Sequence, residues 1–173
     1  SLPVSCDSHY SKRRATFRNS NKASEYIDGL LDSDLHNEDA VKKGLLLHYL
    51  FSNIITSDDI EQAADDMLVK GMISSVEEKN DLISYACKKV GEHPEWFKKG
   101  LKIYNECTIL SYDQKNGRVK ENRPDRVIRE GNKMIIIDFK TGMKFDSHER
   151  QIKRYADLLS KMGFETETHL WYI

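Results

Sequence analysis

Cysteine is scarce in this chain of 173 residues. There are three cysteines, Cys6, Cys87 and Cys107. Their spacing matches no metal-binding pattern, and an odd number argues against a framework of disulfide bonds. Reduced thiols in an intracellular protein are the simplest interpretation, so we expect a cytoplasmic location.

Long apolar runs are also lacking. No stretch approaches the roughly 20 apolar residues that a membrane-spanning helix needs, so we expect no membrane partner. The basic residues 11–14 lead into Ala15-Thr16-Phe17-Arg18, which is not the apolar core of a signal peptide. The chain begins with Ser1 rather than Met, which suggests a piece of a longer protein. Its length suffices for one domain with a hydrophobic core.

The net charge of −1 gives little indication of a nucleic-acid partner, but the charge is unevenly distributed. Residues 1–97 carry 11 basic and 17 acidic residues, a net charge of −6. Residues 98–173 carry 16 basic and 11 acidic residues, a net charge of +5. A basic region favours binding to a phosphate backbone. Taken alone, this charge is equally consistent with ordinary solvated surface, which is the simpler interpretation.

Apolar periodicity predicts an α/β domain. We expect residues 1–37 to be a lead-in with one helix over 21–31, and residues 38–173 to form the domain. Its first part reads as helical, and the period then changes to that of strands, with an Asn116-Gly117 hairpin signal. The predicted helices span 38–55, 57–70, 75–90 and 146–163, and the predicted strands span 101–111, 118–128, 133–139 and 166–173. This order predicts a mixed central sheet preceded by a helical segment.

Three charged residues on successive predicted strands suggest a catalytic site. Asp138 and Lys140 are two residues apart on a strand and therefore point to the same face. Asp125 lies late in the preceding predicted strand, and the alternative for it is a surface aspartate that pairs with Arg123 or Arg126. Two carboxylates beside an ammonium group are the parts needed to bind a hard divalent cation and position a water molecule. A plain ion pair between Asp138 and Lys140 is the alternative.

Four further residues have two interpretations each. His48 lies on an apolar helix, where a histidine is more often a core residue than a metal ligand. Glu106 is either part of a site or an ordinary surface residue of its strand. Gln151 and Tyr155 are four apart and share one helix face. They either border a site or form a core tyrosine beside a surface glutamine.

Together these residues resemble the PD-(D/E)xK nuclease superfamily, most closely the RecB/AddA-type exonuclease domain at the C-terminus of UvrD/RecB-like DNA helicases. The resemblance covers about 44–173, with the anchors in the order Gly44-x-x-x-His48, Glu106, Asp125, Asp138-Phe139-Lys140-Thr141-Gly142 and Gln151-x-x-x-Tyr155. It implies a restriction-endonuclease-like αβββαβ core. Relatives usually have Gly two residues before the first aspartate, where this chain has Arg123. Some relatives bind an iron–sulfur cluster through four cysteines, which three cannot supply.

The resemblance also implies roles for individual residues. Catalysis would use Asp125, Asp138, Lys140 and Glu106. One or two Mg²⁺ or Mn²⁺ ions would be bound by His48, Asp125, Asp138 and the backbone carbonyl of Phe139, and the histidine suits Mn²⁺ better. DNA would contact Gln151, Tyr155, Lys144, Arg150 and Arg154.

The expected function is therefore metal-dependent hydrolysis of DNA, acting in double-strand-break repair or recombination. Single-stranded DNA would arrive from an upstream helicase motor, with a second helicase–nuclease subunit as a further partner. Two alternatives stay open. The chain could be a catalytically silent DNA-binding or subunit-docking domain of the same fold, or a phage lambda-type recombination exonuclease.

Overall fold

The computed structural model describes residues 38–173; the predicted lead-in and its helix lie outside the described residues. The described residues form four α-helices: α1 (Glu38–Asn53), α2 (Ile60–Val69), α3 (Val76–Glu92) and α4 (Asp146–Lys161). Two short 3-10 helices, Ser57–Asp59 and Pro94–Phe97, follow α1 and α3. None of these helices is long and apolar enough to cross a bilayer.

The same residues form six strands. These are β1 (Lys102–Asn105), β2 (Ile109–Asp113), β3 (Arg118–Asn122), β4 (Arg126–Glu130), β5 (Lys133–Lys140) and β6 (Glu165–Tyr172). Four of them make one sheet in the order β1-β4-β5-β6, and β2 and β3 pair separately as a hairpin. The β1–β4 and β4–β5 pairs are antiparallel, and the β5–β6 pair is parallel. The predicted α/β class with a mixed sheet is confirmed.

Two predicted strands are each divided in the structure. The strand predicted over 101–111 breaks at Glu106, whose φ of 51° lies in the left-handed region. The strand predicted over 118–128 breaks between Asn122 and Arg126, where Pro124 has no N–H to donate to a ladder. Both breaks lie where the β2–β3 hairpin leaves and rejoins the four-stranded sheet. The hairpin therefore begins and ends close to Glu106 and Asp125.

Strand β5 is buried along almost its whole length because helices cover both faces of the sheet. Its odd-numbered residues Ile135, Ile137 and Phe139 belong to the core that includes α1, α2 and α3. Met134 and Ile136 pack instead with side chains of α4. By strand alternation, Asp138 and Lys140 lie on the α4 side, at the end of the strand.

The start of α3 agrees with the spacing Ser75-x-x-Glu78, which predicts a capping box. The Ser75 side chain accepts a hydrogen bond from the Glu78 N–H at 3.1 Å. The Glu78 carboxylate accepts from the Ser74 N–H at 2.8 Å, one residue earlier than a standard capping box. Gly91, predicted to lie beyond the helix, is inside it, since α3 continues to Glu92.

Glu78 should make the stability of the fold depend on acid pH. Hydrogen bonds from the Ser74 backbone, Lys42 and the Ser74 hydroxyl lower the pKa of Glu78 from 4.5 to about 2. Its contribution is complete above the unfolded-state pKa and is lost as the pH falls from about 4.5 to 2. Glu78→Gln should flatten this part of the curve of unfolding free energy against pH, measured by urea denaturation. Glu77 is an exposed neighbour, and Glu77→Gln should not flatten the curve. An equal effect of the two substitutions would contradict the assignment of this pH dependence to Glu78.

Candidate metal centre

Three side chains distant in the sequence converge beside the end of the sheet. His48 lies on α1, Glu106 directly follows β1, and Asp125 directly precedes β4. One ligand atom from each lies within 4.8 Å of the other two. His48 Nε2 is 2.8 Å from Asp125 Oδ1 and 4.0 Å from Glu106 Oε1. An imidazole and two carboxylates at these distances are a suitable ligand set for Mn²⁺ or Mg²⁺.

Glu106 reaches this position through an unusual backbone conformation. A left-handed φ costs a non-glycine residue about 1–3 kcal/mol, and such residues cluster at functional sites. The Glu106 N–H donates to the Asp125 carbonyl at 2.9 Å, which fixes the turn. The Ser52 hydroxyl lies 3.3 Å from Oε1, and Arg123 Nη1 lies 3.6 Å from Oε2. The carboxylate is therefore held towards His48 from two sides.

Asp125 is almost completely buried, with 1% of its surface exposed. Its Oδ1 contacts His48, and its Oδ2 accepts a 2.6 Å hydrogen bond from the Phe139 N–H. Hydrogen bonds to a charged acceptor are short and strong, so this contact ties Asp125 to β5. The predicted role of the Phe139 carbonyl as a metal ligand stays a prediction.

Asp138 and Lys140 form a second cluster, on the α4 side of β5. Asp138 has no exposed surface, and its Oδ2 lies 2.7 Å from Lys140 Nζ. Lys140 also donates to Gln151 Oε1 at 2.6 Å. Although the ion pair is close, neither Asp138 oxygen accepts a hydrogen bond from the described residues. A buried carboxylate that pairs with one cation and accepts no hydrogen bond still has a desolvation cost, and a second cation would lower that cost.

The side chains predicted to bind metal lie in two clusters that are joined through one residue. Asp138 is not a member of the convergent group of His48, Glu106 and Asp125. However, Asp125 accepts a hydrogen bond from the N–H of Phe139, the residue between Asp138 and Lys140. The two clusters are therefore neighbours at the end of β5, with one carboxylate buried in each.

The residues predicted to contact DNA fall into two groups. Gln151 and Tyr155 are buried, 8% and 4% exposed. Tyr155 packs in the core between α4 and the sheet, and its hydroxyl lies 3.5 Å from the Arg123 carbonyl. The other three, Lys144, Arg150 and Arg154, are exposed. These three cations are accessible to a phosphate backbone, whereas the buried Gln151 contacts Lys140. That all five residues contact DNA stays a prediction.

Arg126 fixes the helix that carries His48. Its Nη1 donates to the Ile54 carbonyl at 2.9 Å and its Nη2 to the Ile55 carbonyl at 2.6 Å. Further bonds reach the Trp96 carbonyl at 2.9 Å and Asn105 Oδ1 at 3.1 Å. Burial lowers the pKa of Arg126 to about 10, which leaves it charged at neutral pH. This cation stabilises the C-terminal end of α1 instead of pairing with Asp125, the pairing that a surface aspartate would suggest.

His148 and Tyr172 also border the second cluster, and the sequence assigned them no role. His148 Nδ1 lies 3.1 Å from the Tyr172 hydroxyl. Burial, and then the positive charge of Lys140, lower the pKa of His148 below its usual value. The available sequence signal was spacing, since His148 lies three residues before Gln151 and therefore shares its helix face.

No model of a known protein family matches this chain, and no curated protein matches it either. Its chemistry must therefore be inferred from its own side chains. The features that bear on it are the His48–Glu106–Asp125 group and the buried Asp138–Lys140 pair.

Proposed function

We propose that the chain is a metal-dependent deoxyribonuclease of the PD-(D/E)xK superfamily, most similar to the RecB/AddA-type exonuclease domain. The observation that carries the proposal is the pair of bonds made by Asp125. Its carboxylate contacts His48 on one side and the Phe139 N–H on the other, at 2.8 and 2.6 Å. This brings an imidazole–carboxylate group next to a buried Asp-x-Lys pair at the end of a strand.

The chain connectivity supports this assignment. With α2, α3 and the β2–β3 hairpin all taken as insertions, the remaining elements run α1, β1, β4, β5, α4 and β6. This order agrees with the αβββαβ order expected for a restriction-endonuclease-like core, and it supports the proposal to that extent. The two antiparallel pairs followed by one parallel pair place Asp138 and Lys140 on the third core strand.

The side chains present fit a divalent cation. His48, Glu106 and Asp125 supply one nitrogen and carboxylate oxygens, and the oxygens of Asp138 accept no hydrogen bond from residues 38–173. These residues, with the Phe139 carbonyl, would bind one or two Mg²⁺ or Mn²⁺ ions. When bound, such an ion lowers the pKa of a coordinated water and stabilises charge on a phosphoryl oxygen.

The remaining chemistry belongs to Lys140. Its ammonium is held between Asp138 and Gln151 at 2.7 and 2.6 Å, so its position is fixed before substrate arrives. A fixed ammonium can orient the attacking water and stabilise the negative charge that develops on the phosphate. Gln151 acts as a positioning residue through Lys140.

The substrate that fits these features is single-stranded DNA. The basic half of the chain, residues 98–173, contains the Asp-x-Lys strand and α4, and its net charge is +5. In a longer protein, an upstream helicase motor would deliver the strand. A second helicase–nuclease subunit would act with it in double-strand-break repair or recombination.

Metal binding tests this proposal independently of catalysis. Mn²⁺ should raise the thermal unfolding midpoint of the protein, because a ligand that binds only the folded state stabilises it by mass action. His48→Ala should abolish the increase. His169→Ala is the matched control, since His169 also contacts a carboxylate, Glu167 at 2.6 Å, but belongs to no three-residue ligand group among the described residues. The proposed site is contradicted if Mn²⁺ does not raise the unfolding midpoint of wild type. It is also contradicted if Mn²⁺ still raises the midpoint of His48→Ala.

A catalytically silent DNA-binding or docking domain is the second candidate. One observation favours it: Lys140 already compensates the charge of Asp138 at 2.7 Å without a metal. Such a domain would bind DNA but would show no Mn²⁺ shift dependent on His48. The thermal measurement therefore separates the two candidates.

A further inference from the structure

Three rings and a lysine form a continuous surface beside Lys140, which we call the aromatic ledge: Phe145, His148, Tyr172 and Lys144. The Phe145 and His148 rings meet edge to face with centroids 5.4 Å apart. The His148 and Tyr172 centroids are 6.1 Å apart, and a 3.1 Å hydrogen bond joins these side chains. Lys144 Nζ lies 5.4 Å from the centre of the Tyr172 ring, a cation–π contact.

The ledge is built on fixed backbone next to the candidate catalytic lysine. Tyr172 is the strand partner of Lys140 in the parallel β5–β6 register. The Ile173 N–H donates to the Lys140 carbonyl at 2.9 Å, and Lys89 Nζ donates to the Tyr172 carbonyl at 3.0 Å. Parallel partners project their side chains to the same face, so Tyr172 lies beside Lys140 on the α4 side.

The outer end of the ledge faces solvent. Phe145 is 37% exposed, and Met143 in the same loop is 70% exposed. Lys144 between them is also exposed. An apolar ring and a cation therefore lie together at the surface. If these rings only covered the hydrophobic core, the outermost ring would be buried. Phe145 is that ring, and it is partly exposed.

We propose that the aromatic ledge is a nucleobase-binding subsite for a single strand whose phosphodiester lies at Lys140. A base stacks on Phe145 and the adjacent phosphate contacts Lys144. Aromatic rings beside cations are the general means of holding single strands, because every base has a π-face. This inference rests on the proposed function and adds to it the surface that selects an unpaired strand.

Binding without divalent metal tests the subsite separately from cleavage. A fluorescently labelled oligothymidylate is titrated in chelator, where the strand stays intact. Phe145→Ala should raise the Kd by about tenfold, the effect of losing one stacked base. Phe145→Trp should restore binding. Phe145 makes no side-chain capping bond to α4, so the helix should survive its removal.

Met162→Ala is the matched control: Met162 is 63% exposed and caps the other end of α4, about 25 Å away. It should leave the Kd unchanged. The tenfold effect should also disappear on an oligonucleotide with abasic sites, which has phosphates but nothing to stack.

The outcomes separate the two proposals. Phe145-dependent binding by a protein that never cleaves DNA would support the subsite and remove the nuclease assignment. Metal-dependent cleavage together with binding that is unchanged in Phe145→Ala would overturn the subsite alone. A wild-type protein that fails to bind the oligonucleotide overturns the subsite as well.

Discussion

Lys140→Ala should lower the rate constant for DNA cleavage by about 10²–10³-fold, the usual effect of removing one group that stabilises transition-state charge. The ammonium lies 2.7 Å from Asp138 and 2.6 Å from Gln151, so two side chains hold it in position. The measurement is the single-turnover rate on end-labelled single-stranded DNA with Mn²⁺. Binding of the strand in chelator should change far less than the rate.

Lys133→Ala is the matched control for this variant. Lys133 begins the same strand and also pairs with a carboxylate, that of Glu167, but at the opposite end of β5. It should cleave at the wild-type rate. Because Lys140→Ala leaves buried Asp138 without its cation, circular dichroism must first show that the variant is folded at the assay temperature. A folded Lys140→Ala protein that cleaves normally would remove Lys140 from the chemistry.

Arg126→Ala should reduce the free energy of unfolding by about 3–5 kcal/mol, because it removes a large buried side chain together with the donors of several buried acceptors. The guanidinium has no exposed surface and donates to three backbone carbonyls and to Asn105. It also packs over the Phe97 ring, 4.4 Å from the ring centre. The variant leaves these acceptors without donors and opens a cavity. Each buried acceptor that loses its hydrogen bond costs its desolvation free energy.

Urea denaturation measures this loss, with Arg129→Ala as the control. Arg129 lies on the same strand, but it is partly exposed, and it donates a hydrogen bond to the Gly131 carbonyl. Its removal should cost about 0.5 kcal/mol or less. Arg126→Lys should not rescue stability, because one ammonium cannot reproduce the planar fork. A loss below about 1 kcal/mol for Arg126→Ala would show that the network does not stabilise α1.

Much of the fold follows from local patterns. The apolar run Met134–Ile137 predicted a buried strand, and the structure buries it between two cores. The Asn116-Gly117 signal predicted a hairpin, and β2 and β3 form one, with a loop over 114–117 in which Gly117 has a positive φ of 61°. The helical spacing after Asp146 predicted α4. These signals are local, so the sequence carries them without tertiary context.

The parts that sequence could not predict depend on contacts between distant residues. The break at Glu106 needs its N–H to reach the Asp125 carbonyl, 19 positions later in the chain. Arg126 was readable as a partner of its neighbour Asp125, but its acceptors lie on α1 and the 3-10 turn at Trp96. Asp138 follows strand alternation to the α4 side, which separates it from His48. The aromatic ledge requires the parallel pairing of β5 and β6, which no local pattern contains.

The most direct test of the account is cleavage of end-labelled single-stranded DNA by wild type and by Asp138→Asn, each with Mg²⁺, Mn²⁺ or chelator. Asp138→Asn preserves shape and removes the buried charge. We expect wild type to cleave the DNA with at least one of the two metals and not to cleave it in chelator. We expect almost no cleavage by Asp138→Asn under any of these conditions. Cleavage that persists in chelator, or that the variant performs as well as wild type, would contradict a metal-dependent nuclease built on this strand.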